Sequence, residues 1–297
     1  MFHLFGNILT HHGPSANNRG ENEGNITPLQ KLAWQGETHT TVSAEAIRWA
    51  LRYYWQKAGY NVNRRWNGET NEFALQDLNF NSETFIDDDV LGFMRAEGAK
   101  AESADEPSKK GKKRPKGTVL NRRGVLEVTR AVSSTPYDGD ITFNAVSGAK
   151  NRTSLYGTEF HATRYQYGFA MTPDRLKNKS RIFAVLDGLL SLNEVAGNQA
   201  RFLYDFAPSS IVLRWTQDFS PRLLYCFKCD EAGKNLSAED LVYRINAGDI
   251  DPKELWVGGE IAETLADSEV HKFSGIKAAG EALKQVIKHD MQSDKDS

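Results

Sequence analysis

The run His39-Thr40-Thr41-Val42-Ser43-Ala44-Glu45-Ala46-Ile47-Arg48-Trp49-Ala50-Leu51-Arg52 decides how the chain is read. Ser43 is placed to cap a helix, Val42 and Ile47 stand at staple spacing, and Glu45 lies in the first turn beside the positive end of the dipole. Ile47, Ala50, Leu51, Tyr54, Trp55 and Ala58 recur at the helical period and make one apolar face. Lys57 and Gly59 supply the stop. Upstream, Asn17, Asn18, Arg19, Asn22, Asn25, Gln30 and Lys31 occupy a glycine- and amide-rich stretch too polar for a plain connector. Arg48 and Arg52 are one turn apart on the polar flank of the helix. A helix N-terminus, two arginines and a glycine-rich approach outline an anion site, and phosphate is the commonest anion to fill one.

Outward from this helix, Phe2 to Leu9 reads as a strand before it. Residues 60–86 read as an inserted, partly helical segment, and Val90 to Met94 as a strand. Residues 96–117 are charged and nearly free of large apolar side chains, the composition of a mobile loop. Val125, Glu127 and Thr129 alternate as a strand, residues 137–160 suggest an extended arm, and His161 to Met171 reads as a further strand. Asp174 to Val195 predicts a helix with Ile182, Val185, Leu186, Leu189 and Leu192 on one face. Strands follow at Ile211 to Thr216 and Leu223 to Lys228. Ser237 is placed to cap a short helix ending near Gly248, and Ile276, Ala279, Leu283, Val286 and Ile287 mark a tail helix. This order is compatible with the β-α-β-β-α-β unit. The expected class is α+β: one ferredoxin-like, RRM-like palm over residues 1–297 with insertions. No RNP-type aromatic signature lies on its strands, so base stacking on the sheet face is not expected.

The formal charge of −2 over 297 residues hides a segregation. Between Arg95 and Arg130 stand 11 Lys and Arg against 5 Asp and Glu, a local +6 that leaves −8 for the rest. An acidic body with a basic insert suits a protein that grips a polyanion, although a solvated loop has the same charges. Cys226 and Cys229 form a single C-x-x-C; without a second pair they read as semi-buried strand cysteines in a reducing compartment. The N-terminal residues lack a signal-peptide pattern and no apolar run is long enough to cross a bilayer. A soluble, cytoplasmic protein without a membrane partner is expected.

Asp87-Asp88-Asp89 invites a metal-nuclease reading, but successive side chains on a strand point apart, and two-metal hydrolysis gathers carboxylates from several elements. A turn or strand-edge role is the simpler reading. His11-His12 lacks an H-E-x-x-H context, and neither a G-x-S-x-G elbow nor a P-loop occurs. Catalysis, a metal and a cofactor are therefore not expected. For nucleic-acid contact, Arg19, Lys31, Arg48, Arg52, Arg122, Arg123 and Arg130 offer charge, and Asn17, Asn18, Asn22, Asn25, Gln30 and Ser43 offer uncharged groups to phosphate and ribose. The alternative for each arginine is a surface ion pair, with Glu45 a candidate partner for Arg48 or Arg52. Leu155, Tyr156 and His161 in the arm could wedge against bases or simply pack the hairpin.

The segment 17–52 resembles the N-terminal signature of the DevR family (DevR/Cst type), the repeated backbone subunit of the type I-B Cascade complex of CRISPR systems. The resemblance continues in Asp87-Asp88-Asp89-Val90-Leu91-Gly92-Phe93-Met94-Arg95, Arg122-Arg123-Gly124-Val125-Leu126-Glu127-Val128, Ser133-Ser134-Thr135-Pro136-Tyr137 and Tyr165-Gln166-Tyr167-Gly168-Phe169-Ala170-Met171. It implies a palm with a finger-like insertion near residues 60–86 and a thumb near 137–160. It also implies a non-catalytic subunit that binds CRISPR RNA, lines up head to tail with copies of itself along the spacer, and presents the guide to a target DNA strand. On the family's pattern each arm folds over the guide and displaces a base at intervals. Implied partners are the large and small subunits, the subunit that holds the 5′ handle and the crRNA-processing endonuclease. A metal-dependent ribonuclease or guide-processing enzyme using Asp87 to Asp89, or His11 and His12, is the rival reading. An interaction or regulatory protein without RNA contact is a third.

Overall fold

His3–Thr10 sends alternate side chains into two apolar layers, and the architecture is built around that strand. The computed structural model describes residues 1–17, 22–96, 119–145, 155–196, 201–230, 235–266 and 269–296. Asn18, Arg19 and nearly all of the charged stretch 96–117 lie outside them; Ala96 closes a strand.

In chain order, β1 is His3–Thr10 and the hairpin Lys31–Trp34 (β2) and Glu37–Val42 (β3) leads into α1 (Ala44–Lys57). A second hairpin, Arg64–Asn67 (β4) and Glu72–Leu75 (β5), precedes the short α2 (Ile86–Val90). Gly92–Ala96 (β6) pairs with Val119–Arg123 (β7), and Leu126–Val128 (β8) and Ala131–Ser133 (β9) follow. Asp140–Ala145 (β10) pairs antiparallel with the first half of Leu155–Thr163 (β11) as an arm. Then come Tyr165–Met171 (β12), α3 (Arg181–Leu189), Pro208–Thr216 (β13), α4 (Glu239–Asn246), Leu255–Gly259 (β14), His271–Phe273 (β15) and α5 (Ile276–Asp296).

The main sheet runs β15-β14-β13-β1-β12-β9-β3-β2, with β8 also pairing β12. Its pairs are antiparallel except β14 with β15. Within it β13-β1-β12-β8/β9 form a central four, with α1 inserted after β1 and α3 between β12 and β13. Leu4, Ile8, Tyr165, Tyr167, Phe169, Ile211 and Leu213 point to one face, where Ile47, Leu51 and Trp55 of α1, Ile182, Val185 and Leu186 of α3, and Leu283 and Ile287 of α5 close the core. The Trp55 indole N–H donates to the Ala184 carbonyl at 2.9 Å, which ties α1 to α3. Phe5, Leu9 and Val212, with Leu255 and Val257 of β14 beside them, point the other way and pack with Leu223, Phe227 and Leu241. Much of the second sheet face is thus covered by the chain itself.

Several expectations are corrected. Residues 31–42, between the amide-rich stretch and the cap of α1, are a hairpin turned at Gln35 and Gly36, whose φ values are 53° and 89°. Residues 60–86 contain no helix before Ile86; Trp66 and Phe73 pack edge to face at 5.0 Å across β4 and β5, and Asn71 at φ 53° makes the turn. Asp87–Asp89 lie in α2, not in a turn or strand. The helix expected over 174–195 is a short 3₁₀ turn, Pro173–Arg175, then an irregular step and α3. Leu223–Phe227 is not a strand, because Arg222 and Tyr225 at φ 52° and 55° break the extended run and lay it across the sheet. Ser237 does not cap α4, whose N-cap is Ala238, and Ala58 is exposed rather than on the apolar face of α1. Ser43 does cap α1, accepting from Ala46 N–H at 3.2 Å, and Gly59 beyond its end takes φ 86°.

Candidate nucleic-acid interface

The start of α1, the β2–β3 hairpin and the end of β8 meet around a polar groove of about 770 Å³ lined by Gln30, Lys31, Thr41, Ser43, Glu45 and Arg130, with Pro28, Leu29 and Leu32 as its apolar wall. Gln30 reaches Arg130, its Oε1 accepting from Nη1 at 3.4 Å. The Arg130 carbonyl accepts from the Tyr225 hydroxyl at 2.6 Å, and Tyr225 packs against Trp34 at 4.9 Å. The exposed Arg130 guanidinium therefore stands on an anchored backbone at the groove's edge. A backbone phosphate needs such a setting: a reachable cation, uncharged donors beside it and a wall that fixes their spacing.

Of the proposed contacts, Gln30, Lys31, Ser43 and Arg130 are the four gathered here. The other described ones are engaged elsewhere. Asn17 is buried and its amide donates to the Thr41 carbonyl. Asn22 accepts from the Thr27 hydroxyl at 2.7 Å, and Asn25 donates to the Leu155 carbonyl at 3.2 Å, holding its loop to the arm. Arg123 pairs with Glu127 in solvent.

Arg48, Arg52 and Arg122 are corrected for one shared reason. Arg48 donates to the Leu91 carbonyl at 2.9 Å, Arg52 to Asp87 at 3.1 Å and Arg122 to Asp89 at 2.6 Å. The anion awaiting Arg52 is a carboxylate of α2, close enough to hold a guanidinium whose pKa burial lowers. All three aspartates are fully buried. They diverge: Asp87 also accepts from Asn63 N–H at 2.6 Å, Asp88 from the Asn63 amide at 2.8 Å, and Asp89 from Arg181 at 2.7 Å and the backbone of Lys177 and Asn178. Among the described residues no group of three His, Cys, Asp or Glu is gathered as a metal cage, and His11 and His12 are exposed.

In the arm, Leu155 is exposed and Tyr156 stacks on the Arg201 guanidinium at 4.6 Å. His161 is not placed to wedge a base. It is buried at the arm's root, with Nδ1 2.8 Å from the Thr40 hydroxyl and its ring edge to face with Tyr137 at 5.5 Å. Burial, and secondarily the neighbouring His39, push its pKa down to about 4. Sequence reasoning missed Leu29 N–H, Tyr137 and Glu159, which meet beside the groove. Only their place within recognisable motifs could have signalled Leu29 and Tyr137, and nothing local marks Glu159. Cys226 is buried, its thiol raised to about 12 by burial, and accepts from the Asn7 amide at 3.6 Å; Cys229 is half-buried.

No family model matches the chain. A curated relative, the CRISPR-associated protein Cas7/Cst2/DevR of Myxococcus xanthus (strain DK1622), is 45% identical over 288 residues, covering 92% of this chain and 91% of that protein. This chain belongs to the Cas7/Cst2/DevR family. Its fold is shared with a chain of a solved CRISPR RNA-guided surveillance complex, at TM-score 0.54 and 17% identity over 95% of this chain and all of that one. A chain of such a complex described as pre-nicking gives TM-score 0.55 at 13% identity over 94% of this chain and 99% of that one. At 92% of the chain, the match to the relative reaches into the C-terminal third, where the sequence alone carries no recognised motif.

Proposed function

We propose that this Cas7-family chain is the non-catalytic CRISPR RNA-binding backbone subunit of a type I-B Cascade complex. Copies line up head to tail along the guide, each holding a stretch of RNA backbone, and the guide's bases pair with target DNA. An open, non-closing contact between identical chains gives such a helical array. The central unit, a ferredoxin-like palm on this reading, carries the β4–β5 finger and the β10–β11 thumb. The observation that carries the proposal is the groove at the start of α1, where Gln30, Lys31, Ser43 and Arg130 converge. The protein holds phosphates without reading sequence, and base pairing supplies the specificity. The large and small subunits, the 5′-handle subunit and the processing endonuclease complete the cytoplasmic assembly. No helix among the described residues is long and apolar enough to cross a membrane.

The ribonuclease reading is not carried forward for Asp87–Asp89, which are each committed to arginines, Asn63 or backbone amides. Expressed with its operon partners, the protein is expected to co-purify with RNA of one uniform length. In the isolated subunit, Lys31→Ala with Arg130→Ala should weaken single-stranded RNA binding about tenfold. The same pair should flatten the dependence of log K on log salt by roughly 1.4, at ~0.7 per phosphate contact. Unchanged affinity and slope in the double variant would remove the groove from the proposal.

A further inference from the structure

Beside the groove, one oxygen of Glu159 draws two donors of the segment 29–31 at the start of β2. Leu29 N–H donates to Glu159 Oε2 at 2.8 Å and Lys31 Nζ donates to the same atom at 2.7 Å. Lys31 Nζ also lies over the Tyr137 ring, 4.3 Å from its centroid. The Tyr137 phenol is pushed up to about 12 by burial and by the Glu159 charge. A backbone amide and an ammonium converging on one oxygen, with an aromatic floor, is the donor set that a phosphate oxygen takes. Here the anion comes from the protein.

Glu159 belongs to β11, the arm strand, whereas both donors line the groove wall. The pair is open to solvent on one side, with 30% of the Lys31 side chain and 15% of that of Glu159 exposed, so an incoming anion can reach it. Glu159 also stands where the arm is fastened to the loop before β2: Gly157 N–H donates to Asn25 O at 2.7 Å, and Ile26–Thr27 pairs with Gly157–Thr158. We infer that Glu159 is a built-in phosphate mimic, which occupies a backbone-phosphate subsite made by Leu29 N–H and Lys31 and is displaced by a phosphodiester when RNA enters the groove. This rests on the RNA-binding reading above. In the empty subunit the carboxylate neutralises Lys31 and holds the arm against the palm edge. An arriving phosphate takes over both donors, and the freed Glu159 loosens the fastening of β11. The subsite thereby raises the threshold for RNA and links arm release to occupancy.

The test uses the full chain and Glu159→Gln, which keeps an oxygen for Leu29 N–H and removes the charge. Glu159→Gln should bind a fluorescein-labelled single-stranded RNA about tenfold more tightly than wild type at low salt, with a salt slope steeper by ~0.7. Adding Lys31→Gln should erase both gains. Independently of RNA, inorganic phosphate should raise the thermal midpoint of Glu159→Gln and leave wild type and the double variant unmoved. Wild type that binds no RNA overturns the functional reading, while the phosphate experiment still decides the subsite. A folded Glu159→Gln with neither an RNA gain nor a phosphate response overturns the inference. Should Glu159→Gln not fold, Glu159→Ala, which also removes the charge, replaces it with the same expected directions.

Discussion

Asp89 accepts from Arg122, Arg181 and two backbone amides while wholly buried, so its removal strands two guanidinium groups with little water to take its place. Breaking a buried pair from one side costs about 3–5 kcal/mol, and Asp89→Ala should show that loss in urea unfolding. Asp88 has the opposite character. Burial, then the charge of Asp87, raises its pKa to about 6 from the ordinary 3.8. The folded state therefore holds a proton that the unfolded chain releases. Stability from this group is full below pH 4, falls as pH rises to about 6, and stays low above it. Asp88→Asn should raise the thermal midpoint at pH 7.5, by at most roughly 3 kcal/mol of stability, lose most of that advantage by pH 4.5 and the rest below pH 4. A midpoint difference that does not change with pH would reject this account. These aspartates also explain why the site was only partly legible in sequence. Arg48 and Arg52 at one-turn spacing look alike whether they await phosphate or a carboxylate 35 residues on, as Arg52 does with Asp87. Pairings at such separation leave no trace in local spacing.

Gly92 starts β6 at φ 70°, and a Cβ there would lie 2.3 Å from the Arg122 carbonyl of β7. Gly92→Ala should cost at least about 1–2 kcal/mol from the left-handed backbone alone. Because β7 also carries Arg122 to Asp89, the damage should spread to the aspartate helix, read as faster amide exchange across residues 86–96. The elements with strong local determinants were legible: β1 as an apolar run, α1 from its cap and stop, α3 in part and α5 from periodicity. Those that depend on distant partners were not. The β2–β3 hairpin is polar because its outer strand lies at the sheet edge. The run Leu223–Phe227 is apolar because it lies on a sheet face, which alternation rules do not distinguish from a buried strand.

For the whole molecule, the proposed array makes a quantitative demand. If each copy holds a fixed length of backbone, the number of protomers per RNA in native mass spectrometry should rise linearly with RNA length. A stoichiometry fixed at one across lengths would reject the array. The covering of the second sheet face by Leu223, Phe227 and Leu241 is consistent with RNA running along an edge groove rather than over the strands. The place of β1 has a consequence of another kind. Asn7 sits opposite Gly168 on one side and Val212 on the other, so the strand at the middle of the sheet is joined by partners translated 161 and 205 residues later. At ~5–20 residues per second, that segment waits about 8–32 s on the ribosome with both hydrogen-bonding edges unpaired and about 10–40 s before the second partner exists. The sheet cannot close co-translationally from its N-terminal side. Yield during synthesis should depend on elongation speed and on chaperones that shield those edges, more than on the stability of the finished fold.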